Sequence, residues 1–335
     1  MAGREKIRLA IIGSYGHVSV ALSDPEAAGV EVVAAAKWGP DDPMRFIGKF
    51  PSAPDNLAVY EDYREMLSKV RPEIVGVFMP LYRNAEASIA AAELGCHILS
   101  EKPLATELAD LTSLREAAAD AEVRIAACHT ARCEGRFQTI RNTVESGKIG
   151  TPLLASAQKS YPFAQRDDFC KDRRTYGGSI PWQAIHAIDF VTYCTGKDYR
   201  RVAAMNSNCA HPSHTGMEDA GGIVFELNGG GHAVISFDYL RPWGKADRSW
   251  GDERLRIAGT DGVIELSTDG SEVVLTTPDK TENIPLDKGR DLLGEFAASI
   301  RGDRECVVTT EESLRITEVA LKARQAAETG KFIDL

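Results

Sequence analysis

The stretch LSEKPLA, residues 99–105, ends an apolar run, CHILS (96–100), that reads as a buried strand. Glu101 and Lys102 follow this strand side by side, and Pro103 stiffens the backbone directly after them. Charged residues are rarely found at the end of a core strand unless they have a partner or a task. This strand end is therefore the first candidate for a functional position.

The segments on either side of this stretch alternate between short apolar runs and amphipathic helical patterns. Such an alternation is typical of βαβ units, whose strands form a parallel sheet buried on both faces. We therefore predict a doubly wound parallel sheet over residues 1–130, the kind of sheet that can bind a dinucleotide. The expected strands are IRLAIIG (7–13), VEVVAAAK (30–37), EIVGVFMP (73–80), CHILSE (96–101) and VRIAACH (123–129), and the expected helices are EDYREMLSKV, RNAEASIAAAELG and ELADLTSLREAAADA.

The sequence changes character after about residue 130. A helix, RFQTIRNTVESGKIG (136–150), precedes long β-rich segments whose NGGG and TDG turns indicate hairpins. One helix near residues 180–195 interrupts these strands, and two more helices close the chain. Residues 131–335 are therefore predicted to form a second, α/β domain with a large, mainly antiparallel open sheet.

Length and composition restrict the class of protein. The chain has 335 residues, enough for about two domains with separate cores. A net charge of −10 argues against nucleic acid or an anionic membrane as partner, and no apolar run is long enough to cross a bilayer. Seven cysteines without C-x-x-C pairs, and no signal-peptide pattern, favour a cytoplasmic protein. No metal site is predicted, because HPSHTGMED (211–219) lacks ligand spacing on a regular element.

The turn after the first strand, IIGSYGHVSVAL, lies where a doubly wound sheet binds dinucleotide phosphates. Gly13 fits the first position of G-x-G-x-x-G, but Tyr15 and Val18 occupy the other two, and Gly16 offers a displaced substitute. The second strand ends at Lys37, where an acid would hold the ribose of NAD. A cation there favours the 2′-phosphate of NADP. A plain strand-to-helix turn and a solvated surface lysine remain the alternatives.

SEKPLA, GGSIPWQAIHAID (177–189) and ARQAAETGK (323–331) together resemble the Gfo/Idh/MocA oxidoreductases. The similarity spans nearly the whole chain and includes ESGKIGTP and GTDGVIEL. It implies a Rossmann domain followed by a domain that binds substrate and mediates oligomerisation, as a homodimer or homotetramer. It also implies hydride transfer between NAD(P) and a small sugar, cyclitol or related hydroxyl or keto compound.

The resemblance assigns two catalytic residues. Lys102 is expected to polarise the reacting oxygen, and His186 is expected to act as the acid or base. Relatives usually carry an Asp four residues before this histidine, where this chain has Trp182. A side chain from 167–176 is the expected substitute partner for the imidazole. The other expected ligands are Gly13, Tyr15, Gly16, His17, Lys37, Pro80, Asn84, Glu101 and Lys102 for the cofactor, and Asp172, Tyr176, Trp182 and His186 for the substrate.

Departures from the family pattern keep two other functions open. Met79 and Asn84 replace the Thr and His of the Thr-Pro-x-x-x-His motif of many relatives. One alternative is a relative that hydrolyses glycosides with transient use of NAD. The other is a non-enzymatic nucleotide or sugar sensor that has lost catalysis. Trp243 and Trp250 are expected either to stack on a sugar or a partner subunit, or to pack on their own domain.

Overall fold

The computed structural model describes residues 5–44, 46, 49–50, 57–242 and 251–335, so Trp243 and Trp250 lie outside the described residues. The chain divides into two compact units, the first containing residues 1–130 and 290–317 and the second containing residues 131–289 and 318–335. Residues 290–317 thus join the first unit, although the sequence analysis assigned all of 131–335 to the second domain. Arg301 shows why, because its guanidinium donates to the carbonyls of Ala28 and Gly29 at 3.1 and 2.6 Å.

The first unit begins with a strand–helix alternation close to the predicted one. Two differences stand out, since the short strand β3 was not predicted and the helix after the first strand has only four residues. The elements are β1 (Ile7–Ile12), α1 (Ser19–Leu22), β2 (Val30–Ala36), β3 (Ala58–Tyr60), α2 (Tyr63–Val70), β4 (Ile74–Val77), α3 (Asn84–Ala92), β5 (His97–Ser100), α4 (Leu108–Asp120) and β6 (Ile125–Ala127).

These six strands form a parallel sheet in the order β3-β2-β1-β4-β5-β6. Its central strands are buried on both faces, with Leu9 and Ile11 of β1 and Ile98 of β5 fully enclosed. The chain order reverses between β1 and β4, and such a switch point is where doubly wound sheets bind their ligands. The prediction of a Rossmann sheet is therefore confirmed.

The second unit is built on the β-rich part of the chain. Its strands flank the NGGG and TDG turns from which hairpins were predicted. The elements that follow β6 are α5 (Gly135–Glu145), β7 (Pro152–Ser160), α6 (Arg173–Tyr176), α7 (Ile185–Thr195), β8 (Tyr199–Ser207), β9 (Ala220–Leu227), β10 (His232–Asp238), β11 (Asp252–Gly259), β12 (Val263–Leu266), β13 (Val273–Thr276), β14 (Thr281–Ile284), α8 (Leu292–Ile300), α9 (Thr310–Thr329) and β15 (Ile333–Asp334).

The nine strands of the second sheet have the order β14-β13-β12-β11-β7-β10-β9-β8-β15. All neighbouring pairs are antiparallel except β7 and β10, which run parallel at the centre. Burial alternates along β10, where Ala233, Ile235 and Phe237 are buried and the residues between them are exposed. One face of the sheet therefore forms the core of the unit, and the other face is open, as predicted.

Helices α5 and α7 belong to the core of this second unit. The rings of Phe137 and Phe190 stack with centroids 4.8 Å apart and join the two helices. Every cysteine of the chain is a free thiol, and all but Cys209 are buried. Within the described ranges, no helix combines the length and apolar character needed to cross a membrane.

Candidate active site

The turn after β1 is held against the ends of two neighbouring strands. The Gly13 amide donates to the Ala36 carbonyl at 2.9 Å, and the Tyr15 amide donates to the Phe78 carbonyl at 2.8 Å. Gly13 has φ +79°, and a Cβ at this position would lie 2.3 Å from the Phe78 oxygen. Because no side chain fits there, only glycine allows this close approach of the turn to the end of β4.

Gly16 leaves room for the carboxylate that follows β5. Its φ is +62°, and an added Cβ would lie 2.6 Å from Cδ of Glu101. The Glu101 carboxylate accepts from the backbone N–H of His17 at 2.8 Å and lies 2.8 Å from Nδ1 of the same residue. Because Gly16 has no side chain, the Glu101 carboxylate can lie against the turn. Its contacts with His17 then hold the turn in place.

Lys102 lies beside this carboxylate and is only 2% exposed. Its Nζ is 3.6 Å from Oε1 of Glu101, and the peptide bond to Pro103 is cis. Burial acts to raise the pKa of Glu101, but His17 and Lys102 outweigh it and hold that pKa below its ordinary value. The pair thus places an ionised carboxylate next to the Lys102 amine at the carboxyl end of β5.

Asn84 holds the backbone near Glu101 and Lys102 in place by hydrogen bonds. It is fully buried, its Oδ1 accepts from the Met79 amide at 3.3 Å, and its Nδ2 donates to the carbonyls of Glu101 and Pro103 at 3.4 and 3.1 Å. Asn84 was predicted as a cofactor ligand, and in the structure its amide links the ends of β4 and β5. Pro80, another predicted ligand, lies buried between these residues in the chain.

The end of β2 carries a second group of charges. Nζ of Lys37 lies 2.6 Å from Oε1 of Glu61 on the surface. Asp42, which sequence reasoning missed, is buried and accepts from the hydroxyl of Ser14 at 2.6 Å and from the Trp38 amide at 3.0 Å. This carboxylate therefore ties the turn after β1 to the loop that carries Lys37.

The second unit places His186 in α7, directly after an irregular turn. Residues Ile180–Ala184 form a π-helical turn, a feature that often marks functional sites, and Trp182 lies half-buried within it. His186 is 4% exposed, and the ring of Tyr161 packs edge-on against it with centroids 6.4 Å apart. This contact comes from the residue that follows β7, and the expectation of a polar partner from 167–176 stays a prediction.

Tyr161 is itself backed by a buried lysine. Nζ of Lys159 lies 4.6 Å from the centre of the Tyr161 ring and forms an ion pair with Glu253, which also pairs with Arg136 at 3.1 Å. Burial acts to lower the pKa of Lys159, but Tyr161 and Glu253 outweigh it and raise that pKa above its ordinary value. A charged lysine is therefore held next to the phenol that contacts His186.

Two predicted substrate ligands have their polar groups engaged within the second unit. Hydrogen bonds from Arg174 lower the pKa of Asp172 to about 2, and the two side chains pair at 2.7 Å on the surface. Tyr176 is 1% exposed, and its hydroxyl lies 2.8 Å from that of Tyr239. Burial raises the pKa of Tyr176 well above its usual range. Tyr176 thus contributes to the core of the second unit.

The structure brings together Gly13, Tyr15, Gly16, His17, Glu101 and Lys102 at one edge of the first sheet. Sequence reasoning missed Tyr161 and Lys159 in the second unit. A signal for Lys159 was present, because strand alternation puts it on the same buried face as Ala155 and Ala157. Within the described ranges, no group of three or more His, Cys, Asp or Glu side chains is arranged to hold a metal ion.

The chain matches two family models in succession. Residues 7–129 match the model of the oxidoreductase family with an NAD-binding Rossmann fold, and residues 137–265 match the model of the Gfo/Idh/MocA C-terminal domain. The positive φ angles of Gly13 and Gly16 and the switch point of the first sheet are consistent with a dinucleotide at the turn after β1.

Individual relatives support the same family. A solved candidate oxidoreductase from Thermotoga maritima superposes with a TM-score of 0.92 at 34% identity, over 98% of this chain and all of that one. The oxidoreductase YrbE of Bacillus subtilis, itself uncharacterised, is 26% identical and aligns with 100% of this chain and 94% of its own length. The myo-inositol 2-dehydrogenase of Thermotoga maritima is 25% identical, over 82% of this chain and 84% of its own length. The chain therefore belongs to the Gfo/Idh/MocA family of oxidoreductases.

Proposed function

We propose that this protein transfers a hydride between NAD(P) and a secondary hydroxyl of a sugar, a cyclitol or the corresponding ketone. The observation that carries the proposal is the enclosed Lys102 ammonium at the carboxyl end of β5, held 3.6 Å from the Glu101 carboxylate. A surface lysine would be solvated and mobile, whereas this one is fixed next to the ligand-binding edge of a doubly wound sheet.

Gly13, Tyr15, Gly16 and His17 would hold the cofactor diphosphate, since their backbone forms the turn at the switch point. The nicotinamide, when bound, supplies the hydride acceptor or donor. His17 is anchored by Glu101 at 2.8 Å, so the turn is fixed before a ligand arrives. Preorganisation of this kind lowers the ordering cost of binding.

Lys102 would polarise the reacting oxygen. In the oxidation direction its ammonium donates a hydrogen bond to the hydroxyl oxygen and stabilises the negative charge that develops there. Because Glu101 remains ionised, Lys102 keeps a counter-charge that favours its protonated form. The carboxylate therefore acts as a positioning group for the lysine.

His186 would take the hydroxyl proton as the substrate is oxidised and return it during reduction. The Asp that relatives place one helical turn earlier is replaced by Trp182, so another group must orient the imidazole. We assign this task to Tyr161, whose ring packs on His186 and whose phenol is backed by Lys159. Trp182 then offers an apolar wall for the substrate, with Asp172 at the rim.

The substrate class follows the relatives, since the curated protein from Thermotoga maritima is a myo-inositol 2-dehydrogenase. A polyol with several hydroxyl groups suits a site of mixed aromatic and charged side chains.

The free, mostly buried thiols support a reducing compartment such as the cytoplasm.

Lys37 supports NADP over NAD. Its ammonium is 27% exposed, and its present partner Glu61 is a surface carboxylate that a 2′-phosphate can replace. Arg83 donates to the Trp38 carbonyl in the same loop and adds a second cation. Lys37→Asp should therefore weaken NADP⁺ binding roughly tenfold, about 1.4 kcal/mol, and leave NAD⁺ binding within about twofold.

The open face of the second sheet supports a homodimer or homotetramer. Leu154, Met205, Val224 and Val234 are exposed there, with Met205 at 80% exposure. In the sheet register Val224 stands opposite Val234. Exposed apolar side chains of this kind on a strand surface favour burial against a second copy.

The function is tested by following nicotinamide reduction with myo-inositol and a panel of aldoses, polyols and the corresponding sugar acids, with NAD⁺ and NADP⁺ in parallel. Lys102→Met should lower kcat by about 10²- to 10³-fold and leave cofactor affinity nearly unchanged. Lys69→Met, an exposed lysine paired with Glu65 on α2, is the matched control and should behave as the parent.

Two other outcomes would replace the proposal. Hydrolysis of a glycoside without net reduction of the cofactor would identify a glycosidase-like relative. If the parent and Lys102→Met both bind the cofactor and neither turns over any compound, the protein is a sensor.

A further inference from the structure

One arginine of the second unit differs from all the others that the structure describes there. Arg166 has no carboxylate within ion-pair distance among the described residues. Each of the other described arginines of this unit lies within 4.0 Å of an Asp or Glu side chain, namely Arg132, Arg136, Arg141, Arg173, Arg174, Arg200, Arg201, Arg241, Arg254, Arg256 and Arg324.

The Arg166 guanidinium instead lies on aromatic rings. Its Cζ is 4.4 Å from the centre of the Tyr239 ring and 5.9 Å from that of Phe163. Nη2 donates to the Pro162 carbonyl at 3.1 Å, and the buried Nε has no hydrogen-bond acceptor in the described structure. Most of the donor capacity of this cation is therefore unused, and its partial exposure leaves it open to a ligand.

The rings that carry Arg166 lead directly to His186. Tyr239 stacks on Tyr161 with centroids 6.3 Å apart, and Tyr161 packs edge-on against His186 at 6.4 Å. Arg166 and the proposed acid–base residue thus belong to one continuous aromatic cluster of the second unit. The ring of Tyr161 is only half-buried, and a ring of this kind suits the C–H face of a sugar.

Neither Asp167 nor Asp168, which follow Arg166 in the chain, lies within ion-pair distance of its guanidinium. Asp168, two residues on, pairs with Lys171 at 2.6 Å and so does not serve Arg166. Burial, followed by the charges of Lys171, His211 and Arg166, lowers the pKa of His214, which packs edge-on against the Phe163 ring. The charge of Arg166 is therefore not balanced by an ion pair among the described residues.

We infer that Arg166 binds the carboxylate of the substrate, so that the protein acts on an acidic sugar or a polyol acid rather than on a neutral one. A guanidinium that is held over the Tyr239 ring offers several N–H donors, which suit the two oxygens of a carboxylate. The substrate then spans the aromatic cluster, with its acid at Arg166 and its reacting hydroxyl at His186. The inference rests on the proposed function for the identity of that hydroxyl.

Binding to the full-length protein, measured by calorimetry with and without NADP⁺, tests this assignment. The probes form two matched pairs, D-gluconate with D-glucitol and D-glucuronate with D-glucose, and D-glucose 6-phosphate represents a phosphate anion. At least one acid should bind tenfold or more tightly than its neutral partner, a difference of about 1.4 kcal/mol. Arg166→Gln should reduce that preference to within about twofold, and Arg166→Lys should keep part of it.

Arg64→Gln is the matched control. Arg64 also lies over a tyrosine ring, with Cζ 5.3 Å from the centre of Tyr63, but it is paired with Glu86 and should not affect the preference. Equal binding of acid and neutral partner, no binding of either acid, equal weakening of both by Arg166→Gln, or tighter binding of the phosphate would each overturn the inference. Because binding is read without turnover, a failure of hydride transfer remains a separate result.

Discussion

Gly16→Ala is the substitution that tests the geometry of the cofactor turn most stringently. A methyl group there would lie 2.6 Å from Cδ and 2.7 Å from Oε2 of Glu101, whose carboxylate is fully enclosed and bound by His17. Such contacts are far below van der Waals distance. The turn or the carboxylate must therefore shift.

The expected cost has two parts. Gly16 has φ +62°, a backbone conformation that costs an alanine about 1–2 kcal/mol. Overpacking against Glu101 adds about 1–3 kcal/mol. Gly95→Ala separates the two parts, because Gly95 has φ +75° and nothing within 4 Å of an added Cβ. It should therefore cost only the backbone part.

The assay compares urea unfolding midpoints and NADP⁺ affinity for the parent and both variants. Gly16→Ala should be less stable than Gly95→Ala by about 1–3 kcal/mol. It should also bind the cofactor roughly tenfold or more weakly, a loss of about 1.4 kcal/mol or more, because the His17 contacts with Glu101 are broken. Gly95→Ala should keep the parental affinity. Equal stability and equal affinity of the two variants would refute the reasoning.

Three further predictions concern Glu101, Tyr161 and Met205. The pKa of Glu101 is held below its ordinary 4.5, so its ionised form stabilises the fold at neutral pH, and that stabilisation is lost as the pH falls through the lowered value. Glu101→Gln should therefore flatten the acid limb of a plot of unfolding midpoint against pH. An unchanged acid limb would show that the Glu101 carboxylate does not stabilise the fold. Tyr161→Phe should move the pH dependence of kcat/KM while the folded structure is kept, whereas an unmoved profile would show that the phenol does not act on His186. Met205→Asp, on the open sheet face, should reduce the molar mass measured by light scattering, and an unchanged mass would exclude this face as the contact between copies.

Much of the first unit was predictable because its signals are local. The continuous apolar runs that became β1, β2, β4 and β5 are buried on both faces, so sequence periodicity alone identifies them. Strand β3 has only three residues, which are partly exposed, and therefore carries no such pattern. The placement of residues 290–317 depends on contacts such as that of Arg301 with Ala28, which link distant parts of the chain.

The candidate site was predictable at its strand ends but not in its supporting contacts. Lys102 and Glu101 follow directly from a strand that ends on charges, and the family resemblance identified His186. Tyr161 gave no signal, because its contact with His186 bridges a loop, a short helix and a π-helical turn. The role of Gly16 was likewise hidden, since only the fold shows that its missing side chain makes room for Glu101.

The central claim is that Lys102 and His186 act on the same reacting hydroxyl. A double-mutant cycle of kcat/KM with Lys102→Met, His186→Asn and the double variant tests this directly, because groups that serve one transition state are not additive. We predict that each single change costs about 10²-fold or more and that the double variant loses little beyond the worse single variant. Losses that multiply in full, or a single variant with parental kcat/KM, would contradict the account.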